Sequence, residues 1–275
     1  MRIWHQSFTD LDMVPLYHRT LVEHAAKVSD PGVSVTVHGL KPGTYGRDFV
    51  PIDALRHRYL ETLMETQIVE AALTAEREGY DAVALACFYD PGIIAARSLV
   101  DIPVVGLSET AMLVACSLGQ RFALVALNAD QQAKHEEVAH AYGLSERLAA
   151  SIAMDPPIDE YMLEGDDDTT RPIVKGFHRA CRQALSAGAE VIIPGDGVLN
   201  EFVWRKGLMR FEGAAVMDGL GVLFRYAAFM AGARQALGLE VSRTRLYAKP
   251  SAEMLAHARG FAGVQPISED AFSGR

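Results

Sequence analysis

The sequence predicts an α/β protein in which helices cover both faces of parallel sheet, built in two similar halves. Two observations carry this. Short apolar runs alternate with longer stretches of helical period, the pattern of strand-helix-strand units. One passage is also written twice. Gly79-Tyr80-Asp81-Ala82-Val83-Ala84-Leu85-Ala86-Cys87 reads as a helix end, a buried strand and then a thiol. Gly188-Ala189-Glu190-Val191-Ile192-Ile193-Pro194-Gly195-Asp196 repeats that order with a carboxylate in the thiol's place. Asp81 precedes Cys87 by six positions, and Glu190 precedes Asp196 by six. Two facing halves of this kind aim one reactive group from each strand end at a shared cleft. That geometry suits chemistry on both faces of one carbon atom.

The elements follow in order. Strands are expected at Arg2–His5, Ser34–His38, Ala82–Ala86, Val104–Gly106, Ala123–Ala126, Ala150–Ala153, Val191–Pro194 and Ala214–Met217. Several are continuous apolar runs, as strands buried on both faces tend to be. Helices are expected at Leu16–Val28, Ala54–Glu78, Gly92–Leu99, Thr110–Leu118, Asp130–Tyr142, Arg171–Ala187, Asn200–Leu208 and Gly219–Leu237. In the long helix from Ala54, residues Leu55, Tyr59, Leu63, Ile68 and Ala72 recur near helical period. Asp130 suits an N-cap, and Gly79 and Gly188 suit helix ends. The tail from Ser242 to Arg275 has weak periodicity and is expected to wrap back over the first half. Half-domain boundaries are placed at 1–108 plus 219–275 and at 109–218, with the active site between them.

Bulk composition narrows the function. With 26 Lys and Arg against 35 Asp and Glu, the net charge of −9 offers no basic patch for nucleic acid. No apolar run is long enough to span a bilayer. Three cysteines in 275 residues are too few for a disulfide framework and read as reduced thiols. The N-terminus enters a strand directly without a signal-peptide pattern, so a cytoplasmic location is expected. The acidic run Glu164-Gly165-Asp166-Asp167-Asp168 reads as a solvated loop, not a metal site.

Ligands of open parallel sheets sit beyond the carboxyl ends of the strands. Cys87 and Asp196 stand there and are the candidate catalytic pair. The tip after the first strand contributes Gln6 and Ser7, and Phe88 and Tyr89 follow the thiol. Pro91 suits the first turn of a helix, whose free N–H groups would lower the thiol pKa. Gly195 and Gly197 would let backbone amides approach a bound carboxylate. Tyr45, with Arg47 and His57 near it, lies in the loop after the second strand, where a lid would be. For Cys87 the bland alternative is a small buried residue, and for Asp196 an ordinary turn aspartate. Cys116 and Cys181 lie on helical faces and read as packing. The nine histidines show no metal spacing: His18 and His24, and His135 and His140, are at the wrong intervals. Dinucleotide, Walker and nucleophile-elbow motifs are absent.

These residues resemble the aspartate/glutamate/hydantoin racemase superfamily, and most its hydantoin and allantoin racemase branch. The matching stretches are Ala86-Cys87-Phe88-Tyr89-Asp90-Pro91-Gly92, the segment Asp101 to Glu109, and Gly188 to Ile193, together with Leu237 to Arg243, Tyr247 and Pro250. The resemblance implies two flavodoxin-like half-domains related by a pseudo-two-fold axis and no cofactor or metal. It also implies a small amide- or carboxylate-bearing substrate and two opposed cysteines that exchange a proton alpha to a carbonyl. A homo-oligomer is expected. Cys87 matches the first cysteine. The second is expected in a Gly-Cys-x-Gly-like segment, where this chain has Gly195-Asp196-Gly197. The first strand tip, often Asn-Pro-Asn-like in the family, is His5-Gln6-Ser7-Phe8 here. Cys87 and Asp196 as opposed acid/base groups of a racemase or isomerase is therefore one reading. A hydrolase, lyase or decarboxylase, with Cys87 alone reactive and Asp196 orienting water or substrate, is the alternative.

Overall fold

The computed structural model describes residues 1–46 and 49–272; Arg47 lies outside them. Four parallel strands form the first sheet: β1 (Arg2–Gln6), β2 (Ser34–His38), β3 (Ala82–Leu85) and β4 (Val104–Gly106), in spatial order β2-β1-β3-β4. The second contains β5 (Phe122–Ala126), β6 (Leu148–Ala153), β7 (Val191–Pro194), β8 (Arg210–Phe211) and β9 (Ala214–Val216), in order β6-β5-β7-β9-β8. Apart from β8, the two orders are the same pattern. β8 pairs antiparallel with β9 at the sheet edge. A strand of two residues has no readable period, so the sequence gives no sign of it.

The repeat extends to single hydrogen bonds. Helix α3 (Arg58–Arg77) and helix α7 (Asp167–Ser186) each end in a glycine with positive φ, Gly79 at 76° and Gly188 at 89°. Each helix end is closed the same way, with Tyr80 N–H donating to the Ala75 carbonyl and Ala189 N–H to the Ala184 carbonyl. The next residue carries a carboxylate that fastens the neighbouring strand's start. Asp81 accepts from Arg2 N–H at 2.7 Å, and Glu190 from the N–H groups of Gln120 and Arg121. Strands β3 and β7 are buried along their whole length.

The remaining helices are α1 (Pro15–Val28), α2 (Pro51–Ala54), α4 (Ile93–Leu99), α5 (Leu107–Leu118), α6 (Ala129–Ala141), α8 (Gly197–Arg205), α9 (Gly219–Leu237) and α10 (Ala252–Ala262). Helix α9 packs on α5, α1, β3 and β4. The tail does wrap over the first sheet. Phe272 is fully buried edge-on to Trp4, and the Ile267 carbonyl accepts from Thr74 Oγ1 at 2.6 Å.

Three local expectations are corrected. The helix expected from Ala54 to Glu78 is broken: α2 ends at Ala54 and α3 starts at Arg58. The break turns Leu55 inward, while Tyr59 and Leu63 of the apolar stripe stay exposed. Asn128, not Asp130, caps α6, its side chain accepting from Gln131 N–H at 3.0 Å. Asp130 instead pairs with Arg56 at 2.9 Å. The acidic run is not a plain solvated loop. Asp166 caps α7 through Thr169 N–H, with Asp167 and Asp168 in that helix's first turn, where its dipole favours them. Glu164 reaches across to the start of α1, accepting from Leu16 and Tyr17 N–H at 2.7 and 2.8 Å.

Candidate active site

Cys87 and Asp196 each stand two residues beyond the end of their strand, β3 and β7. Both line one small cavity at the carboxyl ends of the two sheets, with Ser7, Tyr17, Tyr89 and Glu160. Its volume is about 30 Å³, room for roughly one or two water molecules. Tyr89 and Leu55 line this cavity and also an adjoining groove of about 220 Å³, so they form the wall between the two. The groove's cations are already paired: Arg56 with Asp130, Arg58 with Glu137 at 2.6 Å, and Lys134 with Glu61 at 2.7 Å.

The loop carrying Cys87 is fixed from behind by Asp90. Its buried carboxylate accepts from the N–H groups of Ser108 and Glu109, from the Ser108 hydroxyl, and from Tyr142 Oη at 2.8 Å. Asp90 holds a positive φ of 46°, a strained conformation for a residue with a side chain. Gly106 makes room for it, since a Cβ there would lie 2.3 Å from the Asp90 carboxyl carbon.

Asp196 is the N-cap of α8. Its Oδ1 accepts from Val198 and Leu199 N–H at 2.8 and 3.0 Å, and its Oδ2 from Gln131 Nε2 at 3.1 Å. Cys87 has no such helix. Gly92, at φ 70°, precedes α4, and the thiol receives one backbone N–H, that of Tyr89. The helix N-terminus expected beneath the thiol therefore lies beneath the carboxylate instead. The electrostatics follow. Burial pushes the Cys87 thiol well above its ordinary range, against the weak help of the Tyr89 N–H, and the Asp196 charge adds to the rise. The lowered thiol pKa expected from the sequence is corrected on that ground. Burial also raises Asp196, with its three hydrogen-bond donors working the other way.

Of the other residues singled out in the sequence, Ser7, Phe88, Tyr89 and Gly197 join the cavity lining. Gln6, Tyr45 and Gly195 do not. The Gln6 amide is spent on Trp4 Nε1 and on the carbonyls of Ser7 and Gly39. Tyr45 is buried, donating to the Phe8 carbonyl at 2.8 Å. Gly195 backs onto His135, whose ring would lie 2.2 Å from any Cβ. Gly197 is likewise a close approach between the halves, 3.0 Å from the Ala86 carbonyl and the Tyr17 hydroxyl by the same measure. Both glycines thus serve packing. His57 contributes only its backbone at the start of α3, and Cys181 is buried in α7. Among the described residues, no group of three or more His, Cys, Asp and Glu side chains is placed to hold a metal ion. None of their helices is long and apolar enough to cross a membrane.

Two cavity residues escape a reading of the sequence. Tyr17 comes from α1, its hydroxyl 3.5 Å from Ser7 Oγ. Glu160 follows β6 and heads the short turn Tyr161–Glu164. It is 4% exposed, and its Oε2 has no hydrogen-bond partner. The only signal for it is positional, since the loop after β6 matches the loop after β2 in the repeat.

Matching parallel sheets thus carry one ionisable group each, at corresponding strand tips, into a shared cavity. The Asp/Glu/Hydantoin racemase family model matches residues 17–227. The chain is 27% identical over 232 residues to a hydantoin racemase of Pseudomonas sp. (strain NS671), covering 83% of this chain and 85% of that one. It is 30% identical over 193 residues to a hydantoin racemase of Paenarthrobacter aurescens, covering 70% and 77%. Among solved structures, the allantoin racemase from Klebsiella pneumoniae superposes with a TM-score of 0.71 at 24% identity, over 91% of this chain and 94% of that one. The chain belongs to the Asp/Glu/Hydantoin racemase family and is an enzyme of that superfamily.

Proposed function

We propose that this enzyme racemises a small cyclic amide of the hydantoin type at the carbon alpha to its carbonyl, with Cys87 and Asp196 as opposed acid/base groups. The single observation that carries this reading is that both groups line one cavity from corresponding positions of the two halves. The substrate lies between half-domains 1–108 plus 219–275 and 109–218, and since the cavity of about 30 Å³ is too small for such a ring, its entry requires the Tyr89 and Leu55 wall to the adjoining groove of about 220 Å³ to move. The hydantoin and allantoin racemases among the similar proteins support the substrate class. So does the lining itself: among the described residues it includes two carboxylates and no Lys, Arg or His. A substrate carboxylate would meet like charge there, whereas neutral ring N–H groups would find acceptors.

The protonation states suit the reaction. Cys87 rests as the thiol and can donate. Asp196, raised by burial, is a stronger base than an ordinary carboxylate. In one direction the Cα–H bond breaks and its proton goes to Asp196. The electron pair moves into the carbonyl to give a planar enolate. Cys87 then delivers its S–H proton to the opposite face, leaving a thiolate and a carboxylic acid that are set for the other enantiomer. Three cysteines without a disulfide suit a reducing compartment, and the cytoplasm is the proposed location. The test is to incubate single enantiomers of 5-substituted hydantoins, allantoin included, and follow optical rotation. Decay to zero without a new product is expected. Unchanged rotation of every such substrate, or loss of rotation through ring opening, would overturn racemisation in favour of a lyase- or hydrolase-type reaction.

A further inference from the structure

Forming an enolate requires something to stabilise the charge arriving on the substrate oxygen. Among the described residues, the cavity lining holds no cationic side chain. It does hold three side-chain oxygens that are buried and without a hydrogen-bond partner: Thr9 Oγ1, Tyr89 Oη and Glu160 Oε2. Buried polar atoms are nearly always satisfied, and three orphans around one small space mark where a ligand's polar atoms belong.

We propose that Glu160 is a catalytic residue, a neutral carboxylic acid that, with the Tyr89 hydroxyl, donates a hydrogen bond to the substrate carbonyl oxygen as it becomes the enolate. The inference rests on the racemase reading. It follows from how the two cavity carboxylates are bonded. Two buried carboxylates in one cavity cannot both ionise cheaply. Asp196 accepts three hydrogen bonds, from Val198, Leu199 and Gln131, which favour its anion. Glu160 Oε2 accepts none. The one negative charge therefore sits on Asp196 and the proton on Glu160. Burial and the Asp196 charge both push Glu160 well above the carboxylate range, outweighing the opposing hydrogen bond from its own backbone N–H. A carboxylic acid is a stronger donor than an amide or alcohol and adds no charge to the resting site. During the reaction its O–H bond stays intact: the hydrogen bond shortens as charge develops and relaxes when Cys87 protonates carbon.

Glu160 is also held in place. Glu164 ties its loop to α1, Arg205 donates to the Leu163 carbonyl at 3.0 Å, and the Tyr161 hydroxyl donates to the Phe49 carbonyl at 3.1 Å. None of these bonds uses the Glu160 side chain, so its substitution leaves the loop anchored.

Three variants and one spectrum test the proposal. Glu160→Gln keeps a donor but cannot ionise; Glu160→Ala removes the donor; Tyr89→Phe removes its companion. Relative to wild type, Glu160→Ala is expected to lower kcat by at least roughly a hundredfold with little change in KM, the scale of losing an oxyanion donor. Glu160→Gln should retain most of that loss-sensitive activity and lose the fall in rate at high pH that ionisation of Glu160 causes. Tyr89→Phe should lower kcat less. The infrared carboxylic-acid C=O band of wild type at pH 7 should be diminished in Glu160→Gln. Equal kcat in Glu160→Ala and wild type, or no change in that band, would overturn the role of Glu160 even if racemisation stands. Absence of racemisation in wild type with the band confirmed would overturn the functional reading while leaving the protonated Glu160.

Discussion

Cys87 and Asp196 occupy the same place in two copies of one strand-turn-helix unit, yet only Asp196 sits on a helix N-terminus. The difference sets their resting states. The carboxylate takes the N–H groups of Val198 and Leu199, while the thiol is left with one backbone donor and stays protonated. The two corresponding positions are thereby biased at rest toward one carboxylate and one thiol.

The cap that Asp196 provides and its proposed role as base separate by substitution. Asparagine caps helices about as well as aspartate, whereas alanine costs about 1 kcal/mol. Asp196→Asn should therefore keep the cap, give up the Gln131 bond and lose less of the thermal midpoint than Asp196→Ala, while turnover falls by roughly a hundredfold or more. Asp196→Ala should lose both. A fall in midpoint as large in Asp196→Asn as in Asp196→Ala would show that the carboxylate's charge matters to the fold and not only its cap.

Restoring a thiol is informative in the opposite sense. Asp196→Cys loses the cap but gains a group that titrates nearer neutrality. Racemisation should persist, measured as decay of optical rotation, alongside a lowered midpoint. Complete loss of racemisation in a folded variant would mean that Asp196 acts as a hydrogen-bond acceptor for water or substrate, the alternative chemistry.

The Cys87 thiol should alkylate slowly at neutral pH, with a rate still climbing as the solution is made strongly alkaline, because burial disfavours its thiolate. Peptide mapping after limited alkylation reads this directly. Rapid labelling at pH 7 with no further rise would contradict it.

Stability should fall on both sides of neutrality. On the alkaline side, His24 is bound between Glu201 and Asp218 at 2.7 Å each. Burial opposes its charge, but these two partners outweigh burial and lift its pKa from 6.5 to about 9. The native state thus holds a proton that the unfolded chain releases, so this stabilisation is complete below pH 6.5 and is lost as pH rises through about 9. On the acid side, burial lowers His5 to about 3 and His135 to about 4. The unfolded chain takes up those protons first, so stability is lost as pH falls below 6.5. Midpoints against pH for wild type and His24→Gln check the alkaline side: the variant should show a flatter decline. An unchanged slope would remove His24 from it.

How much of this is readable in the sequence depends on where each residue's role originates. The pairing of Cys87 with Asp196 is legible because it is local: a capping glycine, a carboxylate, a buried apolar run and a reactive group at fixed offsets. Asp90 and Tyr89 are legible as parts of one motif. Glu160 is not, because nothing around it in sequence is periodic. Its burial arises only when its loop folds against α1 and Glu164 is captured by Leu16 and Tyr17. Tyr17 and His24 read as ordinary helix residues for the same reason, since their partners come from 177 or more positions away for His24 and from another strand tip for Tyr17. The glycines beside Asp196 invite a substrate reading, but their partners, His135 and Tyr17, are set by tertiary packing.

Opposed acid/base action by Cys87 and Asp196 is tested most directly by hydrogen exchange in D2O with each enantiomer of a 5-substituted hydantoin taken separately. Wild type should deuterate the alpha carbon of both enantiomers while racemising them. Cys87→Ser should still exchange the enantiomer whose hydrogen faces Asp196, whereas Asp196→Asn, with Cys87 left as a thiol, should exchange only the enantiomer whose hydrogen faces Cys87 and only as the solution is made alkaline, with racemisation nearly abolished in both. If the two variants exchange the same enantiomer, or if either racemises at the wild-type rate, the two groups do not stand on opposite faces of the reacting carbon.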